Sequence, residues 1–257
     1  MAKLNPRDAS RRENRDVAVN NRADYSEALE RGLLVLNAFE RGEERLTQAQ
    51  LARKLDLPRA TVRRALLTLT HMGYVVAEDK VYRLAPKVLT LAAAYLTTNS
   101  VSRILQPACD VLADEFQASS TAAVLDGSAA VMIARALPRQ SIAVGQGIGF
   151  RVPATRSALG RVLLSGLDAD RRPSDEGSPA DIDAVLREVA AQGYAYVAHE
   201  VEAGFHSIAV PLRRWDGLPI AALNVGSSIE HLSREDMLER VLPELLATAR
   251  RLQPQLV

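Results

Sequence analysis

The stretch from Asp56 to Leu69, DLPRATVRRALLTL, constrains the fold of this 257-residue chain more than any other. Val62, Leu66 and Leu69 recur at helical spacing, and a step of about 100° per residue sets Ala60 and Arg64 nearly opposite them, with Thr61 and Arg63 on the flanks. Three arginines in the first two turns give that helix a narrow cationic front edge. Taken alone, such an edge reads equally as a solvated face or as a reading head. The flanking sequence decides. Before it, LTQAQLARKLDL predicts a short helix capped by Thr47, with Leu51, Ala52 and Leu55 inward. Asp56 and Leu57 make the turn, and Pro58 suits the start of a helix that runs to about Met72 and is closed by Gly73. Upstream, SEALERGLLVLNAFERG predicts a helix that buries Ala28, Leu29, Leu33, Leu36 and Phe39 and stops at Gly42. Downstream, YVVAEDKVYRL gives two β-prone runs around the polar turn Glu78, Asp79 and Lys80. Three short helices with a tight turn and a trailing hairpin make a winged helix-turn-helix, whose third helix enters the DNA major groove.

Charge agrees with this placement. The net charge is only +1, but the chain carries 16 Lys+Arg against 12 Asp+Glu up to Pro86 and 16 against 19 from Lys87 onward. A polyanion therefore belongs with the N-terminal part. Arg63 and Arg64 are the expected base readers, since a guanidinium fork on guanine discriminates by about 1 to 3 kcal/mol. Arg59 is expected on a phosphate, Thr61 on a thymine methyl or a phosphate, and Lys80 on a phosphate or the minor groove from the wing. Thr47, Gln48 and Ala60 complete the expected DNA-facing set. The first 22 residues read as a disordered basic tail, either solvated or able to reach along a nucleic-acid backbone through Arg7, Arg11, Arg12, Arg15 and Arg22.

Beyond Pro86, PKVLTLAAAYLTTNS predicts a connector helix and SRILQPACDVLADEF a second helix. SSTAAVLDGSAAVMIARAL is a hairpin turning at Asp126 and Gly127, and SIAVG looks like a third strand. PATRSALGRVLLSGL is helical, RRPSDEGSP is a polar loop, and PADIDAVLREVAAQG is an amphipathic helix closed by Gly193. A strand near Tyr194, a hairpin turning at Asp216 and Gly217, and a helix from Ser233 to about Leu252 finish the chain. Adjacent hairpins with segregated helices predict an antiparallel sheet and an α+β class. The expected division is tail 1–22, winged helix 23–86, linker helix 87–103 and a second domain 104–257.

Several chemistries are excluded by what the sequence lacks. A single cysteine, Cys109, leaves no internal disulfide and too few thiolates for structural zinc, which fits a reducing cytoplasm. No apolar run is long enough to span a bilayer, and the basic N-terminus has no apolar core of a secretory signal. His199, Glu200 and His206 lack a zinc-protease spacing, so no metal is expected. The glycines of GQGIGFRVPATRSALGR open no helix directly, so a dinucleotide cofactor is not expected either. No nucleophile elbow accompanies the serines, so no catalytic residue is assigned and the chain reads as a non-enzyme. The same segment does deliver free helix amides near Thr155 to Ala158, with Arg151, Arg156 and Ser157 nearby, a setting that suits a carboxylate.

With ALERGLLVLNAF, LTQAQLARKLDLPRATVRRALLTLTHMGYV, GFRVPATRSALGRVLL, EAGFHSIAVPL and GLPIAALNVGS in hand, the chain resembles the IclR family of bacterial transcriptional regulators along nearly all its length after the tail. The RxPA and LGRVLL wording is most similar to the subgroup controlling aromatic-acid catabolism through the β-ketoadipate route. The resemblance implies a linker helix used in dimerisation and a GAF-like C-terminal effector domain that binds a small organic acid in a pocket open on one side of its sheet. It places Ser157, Ala158, Leu159, Ser207, Asn224 and Gly226 in that pocket. Ser207 stands where some relatives carry cysteine, Asn224 and Gly226 replace paired serines, and Val197 replaces an acid. These departures leave the effector open between glyoxylate or pyruvate and a larger, aromatic carboxylate read by Arg156 or His206. The implied partners are operator DNA, the organic acid and further copies of the chain, as a dimer or a dimer of dimers. Two other readings stay open: a winged helix that binds protein, and an enzyme acting on small acids with a DNA-binding appendage.

Overall fold

The structure is a computed structural model that describes residues 25–40, 42–138, 147–173 and 178–256. The expected tail, the strand over SIAVG and part of the RRPSDEGSP loop lie outside the described residues. The chain divides into two compact units, Met1–Leu91 and Ala92–Val257.

In the first unit, α1 spans Glu27–Leu36, α2 Gln48–Leu55 and α3 Arg59–His71. Thr47 caps α2 in a reciprocal box with Gln50, which satisfies two helix-end amides at once. Asp56 ends the helix in the left-handed conformation at φ 51° and turns the chain into α3. Val62, Leu66 and Leu69 of α3 are buried against Val35, Leu51, Ala52 and Val75. The wing pairs β2, Val75–Glu78, with β3, Val81–Leu84, around Asp79 and Lys80, both at positive φ. Glu78 itself pairs with Val81, so the turn is one residue shorter than expected.

Two features depart from the sequence reading. A two-residue strand β1, Leu46–Thr47, pairs with β3 and makes the sheet three-stranded in the order β1-β3-β2; it is too short to show a period. Helix α1 ends six residues before Gly42, and its buried residue is Val35, while Leu29 is 63% and Leu33 49% exposed. Ala38 and Phe39 reach the core from the chain beyond the helix, so those leucines are left lining a groove between α1 and α3.

In the chain that follows, the expected connector helix and the helix after it are both present. α4, Leu89–Thr98, stops at Asn99, whose Oδ1 accepts the amides of Val101 and Ser102 to start α5, Ser100–Phe116. The second unit is built on a six-stranded antiparallel sheet, ordered β6-β5-β4-β9-β8-β7. Its strands are β4 Ser119–Asp126, β5 Ala129–Ala136, β6 Arg151–Pro153, β7 Ala195–Ala198, β8 Phe205–Arg213 and β9 Pro219–Ser228. One face packs on α5 and on the terminal helix, which runs through Arg234–Asp236, a π turn at Met237–Val241 and α8, Leu242–Leu252. The other packs on α6, Ala158–Ser165, and α7, Ile182–Gln192. Alternation along each strand divides the side chains between these two cores.

Candidate DNA-reading edge and effector cleft

The first candidate site is the outer edge of α3. Arg59, Ala60, Arg63 and Arg64 are exposed, and among the described residues none of the three arginines makes an ion pair. Several cations elsewhere in this unit are committed: Arg45 and Arg83 hold Glu78, and Lys54 holds Glu40 and Glu43. The Arg83 bond also keeps the Glu78 carboxyl below its ordinary range. The start of α3 has Pro58 at its cap position, no side-chain cap bond and no acid in the first turn. Its first amides therefore stay available to a phosphate. Gln48 donates from Nε2 to the Arg59 carbonyl at 2.8 Å and ties the starts of α2 and α3 together. Thr47 likewise is engaged in its cap. Thr61 and Arg64 border the α1–α3 groove, and Lys80 is exposed at the wing tip.

The second site is a cleft of about 30 Å³ between the sheet and the start of α6. Ser157 caps α6 by accepting the Gly160 amide at 3.1 Å, and helical geometry leaves the Ala158 and Leu159 amides without a partner inside the helix. The helix therefore starts at Ala158, later than expected, because Arg151–Pro153 is a strand and Ala154–Arg156 a tight 3-10 turn. Gly160 is required there: a Cβ would stand 2.2 Å from the Ala154 Cα. Ser207 on β8 and Asn224 on β9 face the same cleft, and register brings Ser119 and Thr121 of β4 beside them, since Ser119 pairs with Gly226 and Thr121 with Asn224. The Asn224 Oδ1 is buried without a hydrogen-bond partner. Gly226 lies under Phe205, whose Cζ a Cβ would approach to 2.5 Å.

Three expected effector residues fall elsewhere. His206 precedes Ser207 on one strand, so it faces the opposite core, where its Nδ1 meets the Tyr196 hydroxyl at 2.9 Å and burial pushes its pKa down. Arg151 pairs with Asp126 outside the cleft, and Arg156 donates to the Glu200 carbonyl at 2.8 Å. The positive group that does line the cleft is Arg135 on β5. Its backbone is clamped by Gln106 at 2.9 and 3.1 Å, and burial lowers its pKa. Met132, Val152, Leu159, Val201 and Phe205 supply apolar walls. Arg135, Val201 and Phe205 left no local signal, because only strand register and a hairpin tip bring them here. Among the described residues no cluster of His, Cys, Asp and Glu could hold a metal, and no helix is long and apolar enough to cross a membrane.

Residues 28–79 match the IclR helix-turn-helix domain, and residues 93–174 and 177–253 match the bacterial transcriptional regulator IclR C-terminal domain. The chain belongs to the IclR family. It is 36% identical to the Pca regulon regulatory protein of Pseudomonas putida over 91% of this chain and 85% of that one. It is 30% identical to the p-hydroxybenzoate hydroxylase transcriptional activator of Acinetobacter baylyi, covering 90% and 92%. The fold is that of an IclR homologue from Microbacterium hydrocarbonoxydans complexed with 4-hydroxybenzoate, with a TM-score of 0.72 at 22% identity over 90% and 99% of the two chains. This IclR-family chain is thus a DNA-binding transcriptional regulator with a C-terminal effector domain.

Proposed function

We propose that this regulator senses an aromatic carboxylate in the cleft beside α6 and reads operator DNA with the outer edge of α3. The observation that carries the effector reading is the buried, unpartnered Asn224 Oδ1 in a cleft that also holds Arg135 and the start of α6. A carboxylate suits Arg135 and the α6 dipole, a ring suits Met132, Leu159 and Phe205, and a ring hydroxyl suits Asn224 with Ser207 or Thr121. The relatives named for Pca and p-hydroxybenzoate genes, and the homologue holding 4-hydroxybenzoate, support the same ligand class. On the DNA, Arg63 and Arg64 take bases, Arg59 and the open α3 amides take phosphate, and Lys80 reaches from the wing. No catalytic role is assigned to any residue.

A second copy of the chain completes the reader. Two apolar surfaces support this: the α1–α3 groove of about 740 Å³ lined by Leu29, Leu33 and Met72, and α4, an apolar helix with no buried residue. Two reading helices then meet half-sites about one DNA turn or its multiple apart, and the effector favours one arrangement of the pair. Isothermal titration with 4-hydroxybenzoate and other hydroxybenzoates tests the effector reading. Saturable binding in the parent chain, weakened about tenfold or more by Arg135→Gln, is the expected result. Absence of binding across the panel removes the ligand class, and sedimentation of a lone monomer at micromolar concentration removes the paired reader.

A further inference from the structure

The cleft is too small for its ligand. At about 30 Å³ it has room for roughly two water molecules, whereas sites that enclose organic ligands hold about 300 Å³ or more. Something in its wall must move, and most of the wall cannot. Ser119, Thr121, Ser207 and Asn224 sit on strands hydrogen-bonded on both sides, and Ala158–Leu164 is buried throughout with Gly160 pressed on Ala154. Met132 and Arg135 lie on β5, which pairs with β4 and is clamped by Gln106 at Arg135, and Val152 lies on β6, paired with β5. Among the described residues the wall outside these strands and α6 is Val201, on the β7–β8 hairpin tip, beside the Phe205 side chain at the first position of β8.

That tip, residues 199–205, is attached to the rest of the unit in a distinctive way. His199 and Gly204 bracket it in left-handed conformations at φ 64° and 75°, and the His199 Nδ1 accepts the Gly204 amide at 3.1 Å. Between them Glu200 is gripped twice from the α6 side. Arg161 Nη2 donates to its carboxylate at 2.7 Å, and Arg156 Nη2 donates to its carbonyl at 2.8 Å. The Arg161 side chain is only 9% exposed, and its Nε is fixed on the Thr155 carbonyl at 2.8 Å, so the anchor is rigid and the gripped residue immediately precedes Val201.

We propose that residues 199–205 are the door of the cleft and that the Arg161–Glu200 ion pair is its latch. This rests on the reading of the cleft as the effector site. With the latch made, Val201 and Phe205 close over the polar floor. With it broken, the tip turns on His199 and Gly204 and lifts Val201 off the floor, while Phe205, held on β8 by its pairing with Ser228, gives way by side-chain rotation, and an aromatic acid is admitted. Arg161 and Glu200 are positioning residues, acting on the ligand through Val201 and Phe205.

The test reads the door without a ligand. Ser207→Cys puts a thiol on the cleft floor of the full-length chain, and its alkylation by iodoacetamide, resolved by peptide mass, reports opening. Native Cys109 is the internal control, because it is fully buried and burial pushes its thiol up to about 12. Adding Glu200→Gln, which keeps an acceptor for Arg161 but removes the charge, is expected to speed labelling at position 207 about tenfold while Cys109 stays unlabelled. Arg161→Lys, which cannot hold Thr155 and Glu200 together, is expected to do the same. An unchanged rate at position 207 overturns the latch. Equal acceleration at both thiols overturns it too, since that is global opening. In a separate arm, 4-hydroxybenzoate is added to the Ser207→Cys chain and to Ser207→Cys with Glu200→Gln. Fast labelling in the latch variant without protection by 4-hydroxybenzoate leaves the door standing and removes this ligand from the cleft.

Discussion

The starts of α3 and α6 are built from the same helical geometry and left in opposite states. The first amides of α3 have no side-chain cap, no acid in the first turn and three exposed arginines around them. The first turn of α6 is capped by Ser157 and enclosed on every side, with Gly160 packed on Ala154 and Arg161 paired with Glu200. An exposed, uncapped helix start suits a polyanion that arrives with its own counterions to shed, so its binding falls steeply with salt. A buried start offers two oriented amides in a low-dielectric wall, which suits one small anion and is screened far less. On the proposed function, one element, differently surrounded, serves two anions that do not compete.

The contrast is most easily broken at Gly160. Gly160→Ala forces a Cβ against the Ala154 backbone and is expected to cost about 3 kcal/mol, read by denaturant unfolding of the full chain. Next in size, Arg63→Ala and Arg64→Ala are each expected to weaken specific operator binding by about 1 to 3 kcal/mol and to relax base preference in a gel-shift series, with the melting temperature unchanged. Pro58→Asp makes α3 resemble α6 by supplying a cap. Its stability effect is expected to stay within about 1 kcal/mol, while DNA affinity falls about tenfold because the new carboxylate occupies the phosphate position. Unchanged DNA affinity there would show that the open amides of α3 hold no phosphate.

The smallest effect is a pH dependence at a third helix start. Ser233 and Asp236 cap the terminal helix reciprocally, and the bonds from Arg240 and Ser233 hold the Asp236 carboxyl down to about 2 against an ordinary 3.8. A depressed folded-state value stabilises above the ordinary one. That contribution is present at neutral pH and is lost as pH falls from about 4 towards 2, so Asp236→Asn is expected to flatten the acid limb of the melting profile.

Local chemistry was the legible part of this molecule. Thr47, Pro58, Gly73 and the alternation of Val62, Leu66 and Leu69 each act within a few residues, and the winged helix followed from them. The face of α1 was misread because helical spacing identifies an apolar stripe without saying whether the same chain covers it, and Leu29 and Leu33 face an open groove. In the second unit the pocket side of Ser207 and Asn224 was anticipated by resemblance. His206 could have been set aside from the sequence, since neighbours on a strand face opposite ways. Arg135 could not have been found, because only the antiparallel register of β5, β4 and β9 carries it to the cleft.

Gly226 has a consequence for anyone who would retune this regulator. The Phe205 ring lies where a side chain at position 226 would be, so the bareness of one residue on β9 decides how far the aromatic lid can sink. Gly226→Ser is expected to push the ring outward, because the new Cβ crowds the place where the Phe205 Cζ now sits. On the proposed reading of the cleft, position 226 sets the height of the aromatic wall without altering Arg135 or the start of α6.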